Sequence, residues 1–135
     1  MTYSPDLSPY RYHTFQPTPD PKLLNVGWLN PLVPFPKGPV DQSIVTKLLR
    51  LCQKPLNLCR RLHRCPFGTL ELPASSCAYP VHMYLEHKEV RVGNGEIRVA
   101  EKDRVVYAAP TLICHYIENH HYCPPLEFLD AVSKL

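Results

Sequence analysis

The spacing of apolar positions changes period twice along the chain. Ile44, Val45, Leu48, Leu49 and Cys52 recur at i, i+1, i+4, i+5 and i+8, one face of a helix. Asp41 is a capping residue type just ahead of that stripe, and Pro55 ends it, so the pattern predicts a helix over 42–53. Four short segments rich in β-formers follow: Val81–Leu85, Glu89–Val92, Glu96–Ala100 and Arg104–Ala108. Gly93-Asn94-Gly95 separates two of them and reads as a hairpin turn, with Glu101-Lys102-Asp103 as a second turn. Helical spacing returns after Pro110, a favoured first helical residue. Leu112, Ile113, Tyr116 and Ile117 predict a helix over 111–120. Pro124-Pro125 breaks it, and Phe128, Leu129, Val132 and Leu135 predict a last helix over 125–134. Strands grouped together and helices grouped together indicate an α+β fold. The expected architecture is a small antiparallel sheet of hairpins in 81–108, packed with three helices.

The first 40 positions follow neither period. They hold nine of the 16 prolines, each fixing φ and removing a donor. They also hold Tyr3, Tyr10, Tyr12, Phe15, Trp28 and Phe35, large apolar surfaces with no use on a loose tail. The expectation is an extended Pro/aromatic-rich N-terminal arm packed on the core, with a short strand in Leu23–Leu29. At 135 residues the chain reads as a single domain, 1–135. Its parts are the arm (1–40), a helix plus a Cys/His-rich basic loop (41–70), and the sheet with the C-terminal helices (71–135). An apolar share of 44% with 20% charged residues excludes a disordered or fibrous chain.

The opening Met1-Thr-Tyr-Ser-Pro-Asp has no basic stretch leading into an apolar core. No apolar run approaches the ~18 residues of a membrane span. The expected location is the cytoplasm, with no membrane partner. In that reducing compartment the six cysteines (52, 59, 65, 77, 114 and 123) are read as thiols or metal ligands.

Cys52, Cys59, His63 and Cys65 place four soft or borderline ligands within 14 residues. Zinc takes four such ligands in a tetrahedron, and a loop can fold around one ion. The spacing C-x6-C-x3-H-x-C is not a familiar zinc-finger spacing; the bland alternative is free cysteines buried as small apolar residues. A second group is Cys114-His115 and His120-His121-Tyr-Cys123. On a helical wheel Cys114 and His115 flank the apolar stripe, while His120 faces the core as a structural histidine. Only one member of this group, His115 or Cys114, is expected to join the first. The candidate ligand set is therefore Cys52, Cys59, His63, Cys65 and His115. Cys77, His82 and His87 carry no spacing pattern.

Net charge is +3, and six of the 15 basic residues fall in one stretch without acids: Lys47, Arg50, Lys54, Arg60, Arg61 and Arg64. The plain reading is a solvated face; the sharper one is a nucleic-acid or anion contact. A thiol enzyme would pair Cys65 with His63, with Asn57 as third member, or Cys114 with His115. Residues adjacent or two apart rarely place thiol and imidazole correctly, and no nucleophile elbow, H-E-x-x-H or phosphate loop is present. No residue is assigned a catalytic role.

Tyr3-Ser-Pro-Asp-Leu-Ser-Pro-Tyr10 and Leu24-Asn-Val-Gly-Trp-Leu29 open the chain, and Glu96-Ile-Arg-Val99, Val106-Tyr-Ala-Ala-Pro110, His115-Tyr116 and His121-Tyr122-Cys-Pro-Pro125 with Phe128 close it. Over nearly its whole length the chain thus resembles a functionally uncharacterised family of small bacterial proteins. The resemblance implies a middle motif Asn57-x-x-Arg60-x-x-His63-x-Cys65 with a further cysteine three positions on. Here that position is Gly68, which leaves two readings: Cys59 substitutes, or the site is degraded. No activity comes with the resemblance. The expectation is a non-catalytic interaction or adaptor protein of the immunity or anti-defence kind, with a protein partner and a structural Cys/His zinc site. The arm and the Pro124-Pro125-x-x-Phe128 segment would offer apolar surface to that partner. A nucleic-acid binder using 47–64 is the alternative, and a thiol enzyme the second.

Overall fold

A computed structural model describes residues 3–10, 22–58, 62–67, 77, 79–101 and 104–135. Helix α1 runs Gln42–Cys52, and the Asp41 carboxylate accepts the Ser43 amide at 2.8 Å. This satisfies one of the first-turn donors that a helix cannot pair internally. Ile44, Val45, Leu48, Leu49 and Cys52 are all buried, so the apolar stripe faces the core. Helix α2 is Ile113–His120, closed by His121 in the left-handed conformation, and α3 is Leu126–Ser133. Fully buried Phe128 on α3 meets Tyr107 edge-on at 5.6 Å.

The strands form two sheets. β2 (His82–Leu85) and β3 (Lys88–Arg91) make an antiparallel hairpin. β4 (Glu96–Glu101) and β5 (Val105–Pro110) make a second, and β1 (Lys22–Asn25) joins β5 in parallel, giving the order β1-β5-β4. The α+β class stands, but the single antiparallel sheet expected within 81–108 is divided, and the arm supplies a strand to the larger part. The turn expected at Gly93-Asn94-Gly95 is a crossover between sheets, because β3 and β4 are not neighbours. The hairpin turn is Glu86-His87, with φ of 50° and 67°. Two consecutive left-handed residues suit the twist of a two-residue hairpin, although neither is glycine.

The two glycines of the crossover serve close approach. A Cβ on Gly95 would stand 2.6 Å from the Leu56 carbonyl oxygen, and one on Gly93 (φ +84°) 2.8 Å from that of His63. Leu56 and Glu96 exchange amide hydrogen bonds at 2.8 Å, and the His63 amide donates to the Gly93 carbonyl at 2.7 Å. The loop after α1 is thereby fixed to the crossover before it reaches Cys65.

Arm residues 3–10 lie antiparallel to 24–28 through the Ser4–Trp28 and Pro9–Leu24 bridges. The Tyr122 hydroxyl donates to the Asp6 carboxylate at 2.8 Å, and the Trp28 indole to the Ala108 carbonyl at 3.0 Å. Buried Glu96 accepts from the Tyr10 hydroxyl (2.8 Å), Asn57 (3.1 Å) and Arg98 (2.8 Å). A buried carboxylate with charge-assisted partners is tolerated where an unpaired one is not. Among the described residues no helix is long and apolar enough to cross a membrane.

Candidate metal centre

Three separate pieces of chain meet beside α2. Cys65 comes from the loop after α1, and Phe67 two residues on anchors that loop. The Phe67 ring stacks on His120 at 4.4 Å and meets Phe35 and Tyr116 edge-on at 5.4 and 5.8 Å. Cys77 is described without its immediate neighbours, twelve positions on from Cys65. His115 and His120 come from α2, with ring centroids 5.1 Å apart.

One ligand atom from each of Cys65, Cys77, His115 and His120 lies within 4.8 Å of every other. His120 Nε2 is 3.3 Å from both the Cys65 and Cys77 sulfurs. A tetrahedron of zinc bonds, about 2.0–2.3 Å each, has edges of roughly 3.3–3.8 Å. The four side chains are therefore close to the spacing one ion requires. His115 and Cys65 are buried, and Cys77 and His120 are half-buried.

His115 Nε2 is buried without a hydrogen-bond partner among the described residues. Leaving such an atom unpaired costs about 1–3 kcal/mol, and a metal bond would remove that cost. Burial, followed by the charge of nearby His120, lowers the His115 pKa to about 4, against the opposing hydrogen bond with Asn119. The imidazole is neutral at pH 7, the form that binds metal. The Tyr116 hydroxyl is the other buried orphan among the described residues. Burial first, then the Cys65 and Cys77 sulfurs, push its pKa up, so it stays a protonated donor beside the two cysteines.

Of the five ligands expected from sequence, the structure brings Cys65 and His115 into this group. Cys52 lies elsewhere, on the buried face of α1, with its sulfur 3.8 Å from that of Cys114. The hydrogen bond with Cys52, followed by burial, pushes the Cys114 thiol well up, which keeps it protonated. His63 is held by its backbone to the crossover and is outside the group, and Cys59 lies outside the described residues. From the sequence only one residue of the 114–123 stretch is expected to join, whereas the structure brings both His115 and His120 into the group. Helical side chains lean toward the N-terminus, so His120, the last residue of α2, covers the turn that carries His115. Cys77 was missed because twelve positions separate it from Cys65, and no local spacing marks a ligand brought in by the fold.

The basic stretch is partly engaged inside the fold. Lys47 donates to the Ser133 carbonyl at 2.7 Å, and the Arg64 guanidinium lies 4.1 Å above the Tyr79 ring. Arg50 makes a long, exposed pair with Glu86 at 3.8 Å, and Lys54 is exposed. Arg60 and Arg61 lie outside the described residues. A cavity of about 460 Å³ borders the metal group, with His120, Phe67, Phe35, Val33 and Lys37 in its wall.

Residues 2–133 match the model of a family described as a domain of unknown function, DUF7919. No curated protein and no solved structure matches the chain.

Proposed function

The chain belongs to the DUF7919 family of domains of unknown function, and we propose that it is a non-catalytic interaction protein of the bacterial cytoplasm. Its loops would be fastened by a structural zinc ion on Cys65, Cys77, His115 and His120. The observation that carries this reading is the mutual 4.8 Å spacing of one ligand atom from each of those four side chains. Two thiolates and two neutral imidazoles are a donor set suited to zinc, and the two negative sulfurs balance its charge.

Four protein ligands support a structural role, because catalytic zinc keeps one position open for water or substrate. The ion would tie two loops to α2, where loop closure entropy opposes order. In a small domain such a site contributes directly to folding. The five described cysteines are free thiols, which suits a reducing cytoplasm. The fixed arm and loops would then present a formed surface to a protein partner, so that binding need not order them first.

Elemental analysis of the protein purified without added metal tests the reading. The expected result is about one zinc per chain, with about two further thiols becoming reactive when a chelator is added. A protein that carries no zinc, and takes up none at neutral pH, would overturn it.

A further inference from the structure

We infer that the zinc site is also an oxidation site, at which hydrogen peroxide joins Cys65 to Cys77 and frees the ion. This inference rests on the proposed zinc reading and adds a regulation to it. The two sulfurs both contact His120 Nε2 at 3.3 Å and lie within 4.8 Å of each other, close enough for a bond after a small loop movement. Among the described residues, neither Cys65 nor Cys77 falls within a named helix or strand. Cys77 is half-buried, so its sulfur is less enclosed than that of buried Cys65, and His120 of the same group lines a surface cavity.

The contrast with the second close cysteine pair gives the selectivity. Cys52 and Cys114 have sulfurs 3.8 Å apart but are 2% and 0% exposed. Peroxide attacks thiolates that it can reach, so proximity alone does not make that pair reactive. Metal-held Cys65 and Cys77 would be thiolates, and Cys77 is within reach.

The chemistry balances in two steps. The Cys77 thiolate attacks one peroxide oxygen, the O–O bond breaks, and a sulfenic acid and hydroxide form. The Cys65 thiolate then attacks the Cys77 sulfur, the S–O bond breaks, and a disulfide and a second hydroxide form. The sulfurs lose two electrons and the peroxide oxygens gain them. Two protons from solvent convert the hydroxides to water. The ion, left with the two imidazoles, dissociates.

The test treats the zinc-loaded full chain with stoichiometric hydrogen peroxide, while a metallochromic dye reports free zinc. Peptide mapping then identifies the disulfide. The expected result is near-complete zinc release with a Cys65–Cys77 link, reversed by dithiothreitol and added zinc. C52A, which lies outside the metal group, should respond like the parent chain. Retention of zinc under peroxide, or a disulfide through any other cysteine, would overturn the inference. A chain that never held zinc fails the earlier reading instead, and elemental analysis before treatment separates the two failures.

Discussion

His115 and His120 stand five positions apart on one helix, yet their rings approach to 5.1 Å. That distance converts a helix terminus into half of a ligand set. The other half must come from loops, because neither histidine lies near a cysteine of its own helix in the group.

Substitution of any one ligand should abolish stable metal binding. C77A, H120A and H115A are each expected to weaken zinc by more than the roughly 10–100-fold that an outer hydrogen-bonding partner costs. C52A and H63A should retain the metal. Cobalt substitution provides the measurement: the visible ligand-field bands of a tetrahedral thiolate site should be lost in the first set and kept in the second. Metal removal should also lower the melting temperature, since an ion bound only by the folded state stabilises it by mass action.

Glu96 joins three parts of the chain, so its loss should exceed that of a surface charge. E96A leaves Arg98, Asn57 and the Tyr10 hydroxyl without their shared acceptor. The expected cost is about 2–4 kcal/mol, read from urea unfolding. E96Q, which keeps the shape and part of the bonding, should cost less. Equal stability of E96A and the parent chain would show the cluster to be energetically idle.

Stability should fall on the alkaline side. Burial, then the hydrogen bond to Glu96 and its charge, push the Tyr10 pKa up to about 12. Burial is also the first cause of the raised values at Tyr107, Tyr116 and Tyr122. The unfolded chain releases phenolic protons near pH 10 while the folded chain holds them. Stability present below pH 10 is therefore lost as pH rises toward the folded values. Phenolate absorbance should show a late fraction of tyrosines whose titration coincides with loss of the fold. A single titration near pH 10 with circular dichroism unchanged would contradict this.

The crossover glycines predict a sharp positional contrast. G95A forces a Cβ to within 2.6 Å of a backbone oxygen that is itself hydrogen-bonded. It should cost about 1–3 kcal/mol. G38A places its Cβ 3.6 Å from the Cys123 Cβ, an ordinary contact. It should stay within about 0.5 kcal/mol of the parent. Paired urea titrations decide between them.

What could be read from the sequence was local. The α1 stripe predicted the buried residues of that helix, and the alternation in 81–108 located β2 to β5 within a residue or two. Family membership likewise agrees with the resemblance carried by both ends of the chain. The sheet division was hidden because Gly-Asn-Gly chemistry suits either a hairpin or a close backbone crossing. Cys52 already stood in the apolar stripe, and that position signals core more strongly than its closeness to Cys59 and Cys65 signals a ligand. Cys77 and His120 depend on where two loops fold back, and no periodicity records that.

The pairing of Lys22 with Val105 sets an order of events in the cell. The central strand of the larger sheet leaves the ribosome long after the strand that must lie beside it. Until then the early segment has no edge to join, and Leu23 and Leu24 stay wet. Cys65 and Cys77 are likewise made before that strand, and His115 and His120 only after it. The larger sheet and the four-residue group would thus assemble only once the segment from Val105 to His120 has been made.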